Sequence, residues 1–165
     1  MLKKITVRAI AIYQLLSAGA CAVFATLYIL SGYRGLDTGF FVLLAIVNLI
    51  PGIALLRELR WSVWASFTNL VLQIPTIASA SFTYEYSGLG NAGVFAYIDP
   101  STDTYLFGPM IEFSPTFTLS FGLPPQPITI GLDLLAAALA LVVLRSVRRH
   151  RLDHYGQAMT VKDGQ

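Results

Sequence analysis

Charged residues are scarce in this chain of 165 residues: only 12% are Asp, Glu, Lys or Arg, against about a quarter in soluble domains. With 55% hydrophobic residues and a mean hydropathy of +0.65, a chain this poor in charge has a membrane composition. The formal net charge is +2, and the few basic residues are clustered at turns and ends, so no nucleic-acid partner is expected. The single cysteine, Cys21, excludes an intrachain disulfide and a thiolate metal centre. Both histidines, His150 and His154, fall in the C-terminal tail, which leaves no apolar segment with an imidazole for haem, copper or zinc. A glycine-rich phosphate loop, a metal-binding helix motif and a nucleophile elbow are all lacking. The sequence thus predicts no enzyme and no cofactor.

What the chain does contain is apolar runs of membrane length. A hydrocarbon core of about 30 Å calls for about 20 apolar residues per helix. Four runs qualify: roughly Ala9 to Ser31, Gly39 to Leu56, Trp61 to Phe82 and Ile128 to Leu144. Tyr28, Tyr33, Trp61, Trp64, Tyr84 and Tyr86 sit near their ends, where amphipathic rings favour the interface. Lys3-Lys4 before an apolar stretch ending in Ala18-Gly19-Ala20-Cys21 has the outline of a lipoprotein signal. Because the run continues to Leu30, the small residues are instead assigned to a close helix-packing face.

Orientation follows from the basic residues. Lys3, Lys4 and Arg8 precede the first run, Arg57 and Arg60 lie between the second and third, and Arg145, Arg148, Arg149, Arg151 and Lys162 follow the fourth. Only Arg34 lies on the other side. The positive-inside rule then sets both termini and the Arg57 to Arg60 turn in the cytoplasm, and residues 83–127 outside. The tail, residues 146–165, reads as a basic stop-transfer segment that holds anionic headgroups.

Residues 83–127 read as a small antiparallel sheet, with strands near Gly93 to Ile98, Thr104 to Phe107, Met110 to Phe113 and Thr116 to Phe121. Asp99 to Asp103 is a turn preset by Pro100 and capped by the aspartates. Thr116, Thr118 and Ser120 share one face of the last strand; Phe117, Leu119 and Phe121 share the other, and form a candidate interaction face turned down on the helices. An open sheet edge is not tolerated by lipid, so this lid is expected outside the hydrocarbon.

Within the spans, Asn48, Asn69, Gln73 and Asp133 form a candidate intramembrane polar site. Asn69 and Gln73, four residues apart, share a helix face, and such groups turn inward to bond across helices. Asp133 is the one acid inside a predicted span. Pro51 and Pro75 are expected to kink the second and third helices.

The sequence thus predicts an all-α integral membrane protein of the plasma (cytoplasmic) membrane: four transmembrane helices, both termini cytoplasmic, with a small antiparallel β lid inserted between helices 3 and 4. In outline this resembles the claudin-like proteins, although their sheet lies mainly after the first helix and carries a cysteine pair absent here, so the resemblance implies shape alone. The functional expectation is a non-catalytic accessory or structural subunit, its partners membrane lipids and protein subunits or further copies of itself. The alternative is a ligand-binding or transport protein with a site beneath the lid near Asp133.

Overall fold

The computed structural model describes residues 4–32, 36–122 and 127–145. Two long helices form a hairpin: α1, Lys4–Leu30, and α2, Leu36–Leu56. At 27 and 21 residues they measure about 40 and 31 Å. Their apolar stretches, Ile5–Leu30 and Thr38–Leu56, are the two among the described residues that are long and apolar enough to cross a membrane as helices. Pro51 sits inside α2, which continues past it to Leu56.

The other two predicted spans are corrected. The third helix, α3, runs Arg60–Gln73, only 14 residues, and then turns into strand β1, Pro75–Ala78. Pro75 does not kink the helix but opens the strand. The fourth run begins as strand β6, Ile128–Asp133, and turns helical only at α4, Leu134–Arg145. Between β1 and β6 come β2, Phe82–Ser87, β3, Asn91–Asp99, β4, Thr104–Glu112, and β5, Thr116–Phe121. The fold is mixed α/β rather than all-α. Its sheet is larger than the predicted lid because it draws strands from both flanking apolar runs. The predicted Thr104 to Phe107 and Met110 to Phe113 strands are one strand that passes through Gly108 and Pro109.

The strand order is β4-β3-β6-β1-β2-β5, and every pairing is antiparallel. Glu112 ends β4 and Thr116 begins β5. Four residue steps reach about 14 Å, whereas the two edges of a flat six-stranded sheet stand about 24 Å apart. The sheet is therefore curled into an incomplete barrel, its seam between β4 and β5. The Asn91 amide on β3 reaches Glu85 on β2 at 3.3 Å across the two intervening strands, which makes theirs the concave face.

The pairing register then sorts the two faces. Every strand residue on the convex face is apolar or aromatic, among them Ile77, Tyr84, Phe107, Ile111, Ile130 and Leu132. The concave face is mixed: it carries Thr76, Glu85, Ser87, Asn91, Glu112, Thr118, Thr129 and Asp133, and with them Phe95, Tyr97, Leu106 and Met110. Soluble barrels fill their interior with apolar side chains. Here the convex face is wholly apolar or aromatic, and all the charged and amide side chains of the strands lie on the concave one.

Close packing depends on two glycines. A Cβ at Gly93 would lie 1.8 Å from the Leu132 carbonyl oxygen on the neighbouring strand. At Gly90, φ is +152° and a Cβ would lie 2.1 Å from the Glu112 oxygen, so the backbone crosses there only without a side chain.

Two apolar clusters hold the molecule together. Ile10, Ala11, Leu55, Leu70, Ala140 and Val143 join the four helices. Cys21, Leu44 and Tyr86, with Phe117 and Tyr84 packed against them, join β2 and β5 to the outer part of the α1–α2 hairpin. Phe117 also packs on Phe40, ring centres 4.8 Å apart. The face Phe117, Leu119, Phe121 is thus divided: Phe117 meets the helices, whereas Leu119 and Phe121 are 45% and 72% exposed.

Candidate functional site

The helices α2 and α3 bring Asn48 and Asn69 together, and β2 adds a residue that the sequence reading did not single out. The Asn69 amide donates to Asn48 Oδ1 at 2.9 Å, the Tyr86 hydroxyl donates to Asn69 Oδ1 at 2.6 Å, and Asn48 Nδ2 donates to the Tyr86 oxygen at 3.1 Å. Asn48 also donates to the Leu44 carbonyl at 2.9 Å. All three side chains are buried. The ring is closed and internally satisfied, which suits locking β2 to the helices better than holding a ligand.

Gln73 belongs to a second group. Its Oε1 accepts from the Tyr13 hydroxyl at 3.2 Å and from the Gly88 backbone N–H at 3.3 Å, where α1, α3 and the β2–β3 connection meet. Ser17 stands beside Gly88, near enough for a Cβ there to meet its hydroxyl at 3.0 Å. One turn further down α1 from Ser17, Gln14 accepts from Ser66 at 3.1 Å. The amide nitrogens of both glutamines are buried and have no hydrogen-bond partner among the described residues.

Asp133 stands apart from the asparagine ring. The sequence places it inside the fourth helix; the structure puts it at the end of β6, as the residue that caps α4. Its Oδ1 accepts from the backbone N–H groups of Leu135 and Ala136 at 2.9 and 3.1 Å, and its own N–H donates to the Ile74 carbonyl at 2.8 Å. An N-cap explains why a carboxylate is buried here: orphan helix N–H groups and the helix dipole favour it. Its Oδ2 makes no well-formed hydrogen bond among the described residues, although the Ala92 backbone also stands close to the carboxylate.

A third polar group occupies the base of the concave face. Asn91 bonds Glu85 at 3.3 Å and pairs across the sheet with Glu112, whose Oε1 accepts from Ser114 Oγ at 2.8 Å. Ser87 Oγ donates to the Ser114 carbonyl at 3.4 Å, and Thr116 Oγ1 lies 3.5 Å from Ser114 Oγ. Partial burial and, second to it, the nearby Glu112 carboxylate push the Glu85 carboxyl above its usual range, against the hydrogen bond from Asn91. At the opposite rim Asp99 accepts from the Ser101 hydroxyl at 2.6 Å and its N–H at 3.0 Å, which holds its carboxyl below the usual range. That is the turn the sequence predicted.

Chemistry of other kinds finds little support in the geometry. Cys21 is buried, its Sγ 3.8 Å from the Gly88 carbonyl oxygen. Among the described residues no three His, Cys, Asp or Glu side chains converge closely enough to hold a metal. The tail with both histidines, residues 146–165, lies outside the described residues. Part of the glutamate group was legible in the sequence, because Phe82-Thr-Tyr-Glu-Tyr-Ser87 alternates without a fault and so puts Glu85 and Ser87 on the face away from Tyr84 and Tyr86. No protein-family model, curated protein or solved structure matches the chain.

Proposed function

We propose that this chain is a small, non-catalytic integral membrane protein that serves as an accessory or structural subunit, its curled sheet set in the outer half of the bilayer. The observation that carries the reading is the distribution of polarity over the sheet. A convex face wholly apolar or aromatic, and a concave face that holds all the charged and amide side chains of the strands, suit a sheet with lipid outside and polar groups within. Apolar exposure also runs unbroken from the helices into the strands: Leu72 of α3 is followed by Ile77 of β1, and Leu132 of β6 by Leu134 and Leu135 of α4.

The third and fourth segments cross in this reading as hybrids. Helix and strand together reach about 34 Å for residues 60–78 and about 38 Å for 128–145, enough for a hydrocarbon core of about 30 Å. Four crossings and the distribution of Lys and Arg set both termini in the cytoplasm. The base of the sheet stands beside Ser17 and Cys21, roughly halfway along α1. At that depth the free backbone of the edge strands β4 and β5 has no water on the lipid side, so a second protein surface is needed to cover it. That need is the reason for the subunit reading.

Native mass measurement after extraction in mild detergent tests it. A defined complex with other chains, or a stable homo-oligomer, is expected; a lone monomer with active reconstituted flux would replace it with the transport reading. Asp133 Oδ2 and Gln73 Nε2, which make no well-formed hydrogen bond among the described residues, favour that second reading, in which a small polar ligand sits beneath the lid. Asp133→Asn would then abolish binding or flux, whereas under the first reading it leaves assembly intact.

A further inference from the structure

Residues 75–133 contain five carboxylates, Glu85, Asp99, Asp103, Glu112 and Asp133, and no lysine, arginine or histidine. Two of the five are brought together at the base of the concave face. Glu85 and Glu112 flank Asn91, which is 1% exposed, and Asn91 Nδ2 is committed to Glu85 while its Oδ1 is buried with no partner among the described residues. The neighbouring side chains Ser87, Ser114 and Thr116 add only hydroxyl oxygens. Glu85 is half-buried and Glu112 exposed, and two like charges brought together with no counter-charge beside them repel. A buried amide oxygen without a donor is a further cost.

From this we infer that the base of the curled sheet is a binding site for a hard divalent cation of the calcium class, held by the carboxylates of Glu85 and Glu112, the amide oxygen of Asn91 and the hydroxyl of Ser114. Two carboxylates fall short of a transition-metal centre built on imidazole or thiolate. Mixed carboxylate, amide and hydroxyl oxygens completed by water are the donor set of calcium. One ion there neutralises both glutamates, gives the Asn91 oxygen its partner and ties β2 to β3 and β4 near the open seam. The ion approaches from the outer rim along the side of the concave face where Thr83, Ser120 and Thr118 lie.

Titration of the purified full-length chain in detergent with calcium chloride, read by calorimetry and by thermal unfolding, tests the inference. The wild type is expected to bind one ion saturably and to melt higher as calcium rises. Glu85→Gln and Glu112→Gln each weaken binding at least tenfold, and Asp99→Asn, at the distant turn, leaves it unchanged. Asn91→Asp provides the gain-of-function arm: a third carboxylate tightens binding and lowers the melting temperature of the ion-free protein, a pair of effects that misfolding does not produce. Absence of saturable binding below about 10 mM, beyond the range of weak extracellular calcium modules, overturns the inference. So does calcium binding that survives the double Glu85→Gln, Glu112→Gln change.

Discussion

The ring of Asn48, Asn69 and Tyr86 is closed by three side-chain hydrogen bonds, and its worth is measurable. Polar contacts between membrane helices average about 0.6 kcal/mol and reach about 1.7. Tyr86→Phe removes two of the ring's bonds and leaves the Asn48 to Asn69 bond, so a loss of about 1 kcal/mol in detergent unfolding is expected. Asn69→Val leaves the Tyr86 hydroxyl without its acceptor and Asn48 Oδ1 without its donor, and is expected to cost more than Tyr86→Phe. Asp133 yields a similar pair. Asparagine retains the acceptor that caps α4, whereas Asp133→Ala loses both N–H partners at a cost of about 1 kcal/mol. Equal melting of the two Asp133 variants would contradict the capping role.

The strands hybridised with α3 and α4 are where sequence reading and structure part company, and the reason is physical. Hydropathy registers that residues 61–82 and 128–144 are apolar and long; it does not register the rise per residue, which doubles when a helix becomes a strand. The signs of the change are present. Pro75 cannot extend the helix ladder and opens β1, and Ile128-Thr-Ile-Gly-Leu-Asp133 alternates with period two before the leucine-rich stretch. The β5 bounds, Thr116–Phe121, and the Asp99 turn were legible because alternation and turn chemistry act locally. The joining of Glu85 to Asn91 was not, because it depends on the curl of the whole sheet. The same curl makes a prediction about glycine: Gly93→Ala forces a Cβ against the Leu132 carbonyl and is expected to cost well over the 1 kcal/mol of an ordinary substitution. Gly19→Ala, with nothing within 4 Å of the added carbon, is the matched control. Comparable folded yields for the two would mean that β3 and β6 are not packed as closely as described.

Taken whole, the described residues form a helical bundle that becomes an incomplete barrel partway along its length, its convex face apolar or aromatic and its concave face holding the charged and amide side chains of the strands. Under the proposed function, lipid meets the free part of the convex face, water enters the concavity from the outer side, and another protein surface closes the seam. The depth of the sheet is therefore the quantity to measure. With Cys21 replaced by serine, single cysteines at Ile130 and Phe107 on the convex face, and at Thr118 on the concave face, carry a fluorescent probe in vesicles containing brominated lipids. The account predicts strong quenching by the lipid bromines at 130 and 107 and little at 118. Probes at 130 and 107 that escape the lipid bromines and are quenched by aqueous iodide would place the sheet in water, and would remove the basis for setting it in the membrane.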